Sequence, residues 1–236
     1  MTLRLYLEDA YLHGFEARVL ASADGWWALS HSAFYPGGGG QPPDRGHLVA
    51  EGRPLAVTEL REDEDGRRLW HHVGHEVPAG SAVRGALDWP YRYALMRHHA
   101  LMHVVNTVAQ RDFDGLITGV QLGPERSRID LRLPARFDAA AELEARVNDA
   151  LAVPRAIAAS VMTEAEYHAR PDLIRTLNVR PPIIDGHVRV VTIHGFDAQA
   201  CGGTHPHDTA EIGRARLVKR ENKGRDNKRF YWTLVP

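Results

Sequence analysis

The segment YRYALMRHHALMHVVNTVAQR, residues 91–111, decides which fold class we expect. The apolar residues that recur in it at the spacing of one helix face are Leu101, Val104, Val105 and Val108. Such spacing is typical of an amphipathic α-helix, so we predict a helix over Tyr91–Arg111. The chain on either side of this helix has a different pattern, and the two flanks together define the fold.

The N-terminal flank has the pattern of β structure. Short apolar runs alternate there with clusters of Gly, Pro and Asp, which is typical of a small barrel or sandwich. The predicted strands are Leu3–Leu7, Phe15–Ala21, Trp26–Ser30, Gly46–Ala50 and Arg68–Val73. We therefore expect a small β-barrel or β-sandwich domain over residues 1–88.

The C-terminal flank mixes helices and strands. A second helix is predicted over Asp138–Ala152 with Asp138 as its N-cap, and a third follows a capping box of Thr163 and Glu166 and ends near Pro171. The predicted strands are Arg126–Leu133, Val188–His194, Ala215–Arg220 and Phe230–Leu234. The expected fold class is α+β, with the mixed helices and strands forming a second domain over residues 89–236.

Composition narrows the class of protein further. The chain has 236 residues, of which 44% are hydrophobic and 25% charged, as in a globular protein with a substantial core. Neither a signal peptide nor an apolar run long enough to cross a membrane is evident, so we expect a cytoplasmic protein. No feature of the sequence leads us to infer an obligate protein partner. The net charge of −1 means that any contact with nucleic acid must use a local basic patch.

Two histidines in the predicted helix are candidate metal ligands. At 100° per residue His99 and His103 lie about 40° apart, on the side opposite the apolar stripe, and Asn106 and Gln110 share that side. We expect them to point away from the core and toward a cleft, where imidazoles at i and i+4 can bind one metal. A solvated polar helix face that happens to contain histidines is the alternative, and we interpret His98 as a bystander.

The spacing alone proves little, because the chain has 14 histidines and roughly one H-x-x-x-H pair is expected by chance. A second pair, His71 and His75, lies in a segment that favours strand and turn. Residues four apart in an extended strand are about 13 Å apart, so we do not expect this pair to bind a metal.

The single cysteine begins the second candidate motif, Cys201-Gly202-Gly203-Thr204-His205. A lone cysteine excludes an internal disulfide. Two glycines allow a tight turn in which the thiolate and the imidazole of His205 converge, and such a nitrogen and sulfur set suits Zn²⁺. Cys201 as a nucleophile beside a histidine base, or as an inert buried thiol, are the alternatives.

These motifs resemble those of a known family. The helix segment Met96–His103 and the turn Cys201–His205 resemble the paired zinc motifs of the alanyl-tRNA synthetase editing domain and of its free-standing relatives, the AlaX proteins. Phe34–Pro42 is similar to the Gly-rich motif of the medium-length AlaX class. Further matches lie at Ser127–Asp130, Thr209–Gly213 and Lys223–Arg229, so the resemblance spans nearly the whole chain in the family's order.

The resemblance implies that the first domain is β-barrel-like and carries the Gly-rich loop, and that the second is a two-layer α/β editing domain. It also implies one zinc held by His99, His103, Cys201 and His205, and a deacylase of alanine tRNA mischarged with serine or glycine. Zinc could polarise the ester, activate a water or organise the pocket. Backbone N–H groups of Gly37 and Gly38 are expected to hold the tRNA 3′ end, and Gly39, Gly40 and Gln41 to form the catalytic loop. A plain turn is the alternative for this loop.

The C-terminal basic stretch is the expected contact with the tRNA acceptor end. Its candidate residues are Lys219, Arg220, Lys223, Arg225, Lys228 and Arg229. A solvated strand-turn-strand is the alternative interpretation.

The family often has hydroxyl or amide side chains between its helix histidines, whereas Ala100, Leu101 and Met102 are apolar here, which leaves the choice between serine and glycine open.

Two other functions compete with editing. Gly39-Gly40-Gln41 is similar to the tripeptide of peptide release factors, but that function gives the histidine and cysteine pairs no role. An RNA-binding module with a structural zinc is the non-enzymatic alternative, and it predicts a bound metal without ester hydrolysis.

Overall fold

The computed structural model describes residues 1–134, 137–173 and 183–235. The chain divides into two compact units: unit 1 is Met1–Gly38 with Pro42–Tyr93, and unit 2 is Gly39–Gln41 with Ala94–Pro236. The tripeptide Gly39–Gln41 thus belongs with the C-terminal unit although its chain neighbours belong with the other. Among the described residues, no helix combines the length and apolar character that crossing a membrane requires.

The strands of unit 1 are β1 Leu3–Arg4, β2 Gly14–Ala23, β3 Trp26–Leu29, β4 His31–Ser32, β5 Gly46–Ala50, β6 Arg53–Val57, β7 Glu59–Glu62, β8 Leu69–His72 and β9 Ala82–Leu87. Seven of them form an antiparallel sheet in the order β6-β5-β9-β2-β3-β8-β7, and β1 pairs separately with β4 in parallel. The predicted strand over Leu3–Leu7 is wrong in its second half, where Leu5–Leu7 form a 3-10 turn that buries Tyr6. The sheet is open, with β6 and β7 at its edges.

The core of unit 1 lies on one face of this sheet. Val19, Trp27, Leu29 and Leu48 are buried there because alternate strand residues point to the same side.

A buried ion pair fixes the loop that carries the glycines. Arg92 and Asp44 are both fully buried, and Arg92 Nε donates to Asp44 Oδ1 at 2.8 Å. Asp44 also accepts from the backbone N–H of Tyr35 at 2.6 Å, and its own N–H donates to the Tyr35 carbonyl. Breaking a buried pair from one side leaves an uncompensated charge, so these contacts hold the base of the loop firmly.

The strands of unit 2 are β10 Leu116–Gln121, β11 Ser127–Arg132, β12 Ile157–Thr163, β13 Ile183–Ile184, β14 His187–Ile193, β15 Asp197–Ala200, β16 Arg214–Asn222 and β17 Asn227–Val235. They form two antiparallel sheets, of order β10-β11-β17-β16 and β12-β14-β13, and β15 also pairs with β14. The helices are α1 Trp89–Phe113, which begins in unit 1 and continues into unit 2, and α2 Ala140–Leu151 and α3 Glu164–His168 of unit 2. The chain is therefore a strand-rich α/β protein.

Helix α1 confirms the predicted helix but corrects its expected surroundings. Every residue from His98 to Ala109 is buried, so the helix has no solvated face over this stretch. His99 and His103 do lie opposite the apolar stripe, yet they are only 7% and 5% exposed. The helix periodicity correctly separated a polar face from the apolar one, but this polar face is buried and does not line an open cleft.

The two shorter helices differ in how they begin. Thr163 and Glu166 form the predicted capping box of α3, which ends at His168, before Pro171. The predicted N-cap Asp138 is wrong, because Ala139 occupies the N-cap position of α2 without a side-chain hydrogen bond. Packing determines α2 instead: it buries Leu143, Val147 and Leu151.

Candidate metal centre

Two elements of unit 2 bring four side chains together. Helix α1 supplies His99 and His103, and the turn after β15 supplies Cys201 and His205. Their ligand atoms all lie within 4.8 Å of one another. Cys201 Sγ is 3.4 Å from His99 Nε2 and 3.7 Å from His205 Nε2, and His205 Nε2 is 3.2 Å from His103 Nε2.

These separations fit a tetrahedral metal site. Metal–nitrogen bonds near 2.05 Å and metal–sulfur bonds near 2.3 Å place tetrahedral ligand atoms roughly 3.3 Å (N to N) and 3.5 Å (N to S) apart. Three of the six distances between the ligand atoms lie close to those values, and none of the six exceeds 4.8 Å. The cluster could therefore hold a metal ion.

Electrostatics in the cluster also favour a cation. Burial opposes ionisation of the Cys201 thiol, but His99 and His205 outweigh it and bring the thiol pKa well below its ordinary value. Burial likewise opposes protonation of His103, yet its hydrogen bonds to Asp197 and Cys201 raise its pKa to about 9. Burial and the neighbouring His99 lower the pKa of His205 to about 3, which keeps that imidazole in its neutral, ligating form.

Outer contacts orient His103. Its Nδ1 is 3.4 Å from Asp197 Oδ2 and 2.8 Å from Gln199 Nε2, and Gln199 Nε2 donates to Asp197 Oδ2 at 2.7 Å. Because Nε2 faces the cluster, Nδ1 is left for these outer groups: when protonated it donates to the Asp197 carboxylate, and when unprotonated it accepts from Gln199 Nε2. A carboxylate behind a ligating histidine raises the basicity of that ligand and fixes its ring.

A different group supports His99. Its Nδ1 lies 2.9 Å from Gln41 Oε1, which also accepts from the Thr204 N–H at 3.1 Å. A Cβ on Gly203 would lie 2.2 Å from the His99 ring, so this close approach requires glycine there. Arg189 donates to the carbonyls of Cys201 and Gly203, both at 2.9 Å, and so fixes the turn.

The predicted Gly-rich loop has a backbone that only glycine adopts readily. Gly37, Gly38, Gly39 and Gly40 have φ of +96°, +130°, +56° and +88°. A Cβ on Gly40 would lie 2.5 Å from the Val120 carbonyl oxygen, whereas one on Gly39 would meet nothing within 4 Å. Gly38 and Gly39 are exposed, and Gln41 is buried beside His99.

The predicted basic residues fall into two groups. Lys219, Arg220, Lys223 and Arg225 are exposed, although Lys219 Nζ also pairs with Glu221 at 2.6 Å. Lys228 is buried and donates to the Arg225 carbonyl at 2.9 Å. Arg229 makes a two-pronged ion pair with Asp130, with distances of 2.7 and 2.8 Å.

Asp197 and Gln199 did not emerge from the sequence, although a signal was present. Strand β15 buries Asp197 and Gln199, whereas Ala198 and Ala200 are partly buried against another cluster. A strand alternates sides, so positions 197, 199 and 201 share one parity. Polar residues at alternate positions leading to the lone cysteine would have predicted a buried polar face there.

Comparison with known proteins defines the class to which this site belongs. A family model described as the threonyl and alanyl tRNA synthetase second additional domain matches residues 188–231, which include Cys201 and His205. Residues 188–231 are thus similar to an accessory domain of aminoacyl-tRNA synthetases. It is also 38% identical over 226 residues to the alanine–tRNA ligase of Korarchaeum cryptofilum, with 92% of this chain and 24% of the ligase covered.

Full-length matches are more specific. The chain is 37% identical over 239 residues to the alanyl-tRNA editing protein AlaX-M of Saccharolobus solfataricus, and 36% identical over 242 residues to that of Methanosarcina barkeri. Each match covers 100% of both chains. The chain therefore belongs to the AlaX family of alanyl-tRNA editing proteins.

Proposed function

We propose that this chain is a zinc-dependent deacylase that acts in trans on mischarged tRNA(Ala) and releases serine, or glycine, by hydrolysis of the aminoacyl ester. The observation that carries the proposal is the buried cluster of His99, His103, Cys201 and His205 in a chain that matches AlaX-M proteins over its full length. Zinc is the metal that a thiolate with three imidazoles at tetrahedral spacing suits best.

The substrate bond joins the carboxyl of the amino acid to the terminal ribose of the tRNA. Zinc, when bound, supplies Lewis acidity and fixed positive charge. Cys201 and the three histidines hold it, and Asp197 and Gln41 orient two of those histidines. Water is the nucleophile, and the loop residues Gly39 and Gly40 lie before Gln41, where their backbone can face the ester.

Editing has a clear energetic rationale. A synthetase pocket cannot strongly reject an analogue that adds only a small group, so errors need a second site. In this proposal a hydrogen-bonding partner for the serine hydroxyl spares correctly charged alanine, because alanine leaves that partner unpaired.

Contact with the tRNA is proposed at two places. Backbone N–H groups of Gly37 and Gly38 receive phosphate or ribose oxygens of the 3′ end. The exposed residues Lys219, Arg220, Lys223 and Arg225 neutralise acceptor-stem phosphates. The charged groups of Lys228 and Arg229 have partners within the protein. These two residues stabilise the hairpin of β16 and β17, which carries the exposed basic residues.

We further propose that residues 1–88 form a β-barrel-like domain and that residues 89–236 form the editing domain. The Gly-rich loop lies within residues 1–88 in sequence, although its tripeptide Gly39–Gln41 belongs with the C-terminal unit. The reaction needs no ATP, because ester hydrolysis is downhill, and we place it in the cytoplasm, where tRNA is charged.

Release of serine from Ser-tRNA(Ala) tests the enzymatic proposal, with Ala-tRNA(Ala) as the control substrate and Gly-tRNA(Ala) as the second test. We expect serine release that is lost with Cys201→Ala and much slower release from Ala-tRNA(Ala). A protein that binds zinc but releases neither serine nor glycine would be an RNA-binding module with a structural metal, and the deacylase proposal would fail.

Charge reversal tests the tRNA surface. Lys223→Glu/Arg225→Glu should raise KM for mischarged tRNA at least several-fold, leave kcat unchanged and reduce the salt dependence of binding by about one unit of slope per lost phosphate contact. Arg67→Glu/Arg68→Glu, which reverses two exposed charges in unit 1, is the matched control. Equal effects of the two double variants would show that only net charge matters.

A further inference from the structure

Gln41 is buried, with 2% of its surface exposed, and both ends of its side-chain amide are engaged. Its Nε2 donates to Thr204 Oγ1 at 2.8 Å. Its Oε1 accepts from the Thr204 backbone N–H at 3.1 Å and faces His99 Nδ1 at 2.9 Å. Such an amide is poorly placed to reach out to a substrate.

The orientation of this amide follows from its partners. A backbone N–H can only donate, so the amide atom that faces the Thr204 N–H must be the oxygen. The same oxygen faces His99, so His99 Nδ1 must carry a proton and donate it. In the neutral ring the other nitrogen, Nε2, then keeps its lone pair, and this is the nitrogen that lies 3.4 Å from Cys201 Sγ.

We propose that Gln41 is a positioning residue that selects the ligating tautomer of His99 and links the tripeptide Gly39–Gln41 to the metal centre. This inference rests on the proposed zinc site and deepens it. The single amide links helix α1 to the Cys201–His205 turn, so it holds ligands from both elements in register. Asp197 has the corresponding role for His103, whereas His205 Nδ1 is buried with no hydrogen-bond partner in the described part of the chain.

The glycines explain how a loop residue reaches this position. Gly40 approaches β10 so closely that its carbonyl accepts from the Leu122 N–H at 2.8 Å, and a side chain there would overlap Val120. Gly203 leaves the corresponding space on the side of the turn. In this proposal the glycine run is required partly to deliver Gln41 to His99.

Cobalt substitution provides a readout that is independent of deacylation. Gln41→Met keeps the volume but removes the acceptor, and we expect Co²⁺ affinity about 10- to 100-fold below that of the wild type, with altered d–d absorption. Gln41→Glu retains an acceptor for His99 Nδ1 and should restore affinity to within a few-fold of the wild type. Thr204→Val removes only the hydroxyl and should change Co²⁺ affinity less than Gln41→Met does.

Each contrary outcome has a distinct meaning. Wild-type Co²⁺ affinity and spectrum in Gln41→Met, with a raised KM for tRNA, would make Gln41 a substrate contact and overturn the inference alone. Equal loss of affinity in Gln41→Met and Gln41→Glu would also overturn it, because the acceptor would then be irrelevant. Failure of the wild type to bind Co²⁺ or Zn²⁺ would overturn the proposed metal site itself.

Discussion

The two H-x-x-x-H pairs have the same spacing, but the structure brings only one of them into a cluster of potential metal ligands among the residues that it describes. His99 and His103 lie one helical turn apart on α1 and converge on one cluster with Cys201 and His205. His71 lies in strand β8, where its Nε2 is 2.8 Å from Ser32 Oγ and its Nδ1 is 3.2 Å from the Trp27 carbonyl. His75 lies beyond that strand and is exposed.

Secondary structure, and not spacing, separates the two pairs. A helix returns to the same face after four residues within about 6 Å, whereas an extended chain carries the fourth residue about 13 Å away. Both His71 and His103 are buried, so burial does not distinguish them either. The distinguishing feature is what surrounds them: His71 has neutral partners, and His103 faces a carboxylate and a thiol.

The largest expected effect is loss of the metal from the α1 pair. Cys201→Ser or His99→Ala should lower zinc affinity more than about 100-fold, since ligand loss exceeds the effect of losing an outer partner. Metal per protein after dialysis measures this. A chelator should lower Tm of the wild type and leave Tm of these variants unchanged. Full metal occupancy in Cys201→Ser would remove Cys201 from the site.

An intermediate loss of zinc affinity is expected when Asp197, the carboxylate next to His103 Nδ1, is neutralised. Asp197→Asn keeps the shape of the side chain but removes its negative charge, so zinc affinity should fall about 10-fold or more. Competition with a chromophoric chelator gives the affinity. Asp185→Asn, in a turn outside the cluster, serves as the control, and equal affinities in the two variants would show that the carboxylate is not needed.

The His71 pair should affect stability and not metal. His71→Ala leaves a cavity and unpaired partners, so we expect the free energy of unfolding to fall by about 2–4 kcal/mol with zinc content intact. Denaturant titration and metal analysis of the same sample check both parts. Zinc loss together with a retained fold would show that His71, and not the pair on α1, takes part in binding the metal.

Acid should destabilise the protein through His71. Burial lowers the pKa of His71 to about 4 from an ordinary value of 6.5, so between these values the unfolded chain binds the extra proton. This contribution to stability is complete above pH 6.5 and is lost as the pH falls toward 4. His71→Gln should flatten the pH dependence of unfolding in that range, and an unchanged slope would exclude His71 as its source.

The smallest effect is expected at His75. Its ring is exposed, and its backbone carbonyl accepts a hydrogen bond from Trp27 Nε1 at 2.7 Å. His75→Ala should therefore leave zinc content unchanged and shift the free energy of unfolding by less than about 0.5 kcal/mol. A larger shift measured in parallel with His71→Ala would show that the ring packs more tightly than its exposure indicates.

Much of the helical structure could be predicted, because periodicity and capping are local. The capping box at Thr163 and the helix over residues 91–111 followed from spacing alone. Several strands were not predicted, among them β6, β7, β9, β10, β12 and β15. In β12 the pattern is uninformative, because most of its residues are exposed and no apolar alternation marks a buried face. Edge strands such as β6 and β7 form because a neighbouring strand pairs with them, and their own sequence pattern does not show that pairing.

The sequence by itself determined which atoms are available for a metal: one thiol, a histidine pair on a helix, and a glycine turn that lets Cys201 and His205 converge. Tertiary structure alone decided that these groups meet, that His99 faces Gln41 and that Asp197 stands behind His103. The reason is physical. Residues 41, 99 and 197 are far apart in the chain, and hydrogen bonds between such residues follow from packing, which no local pattern encodes.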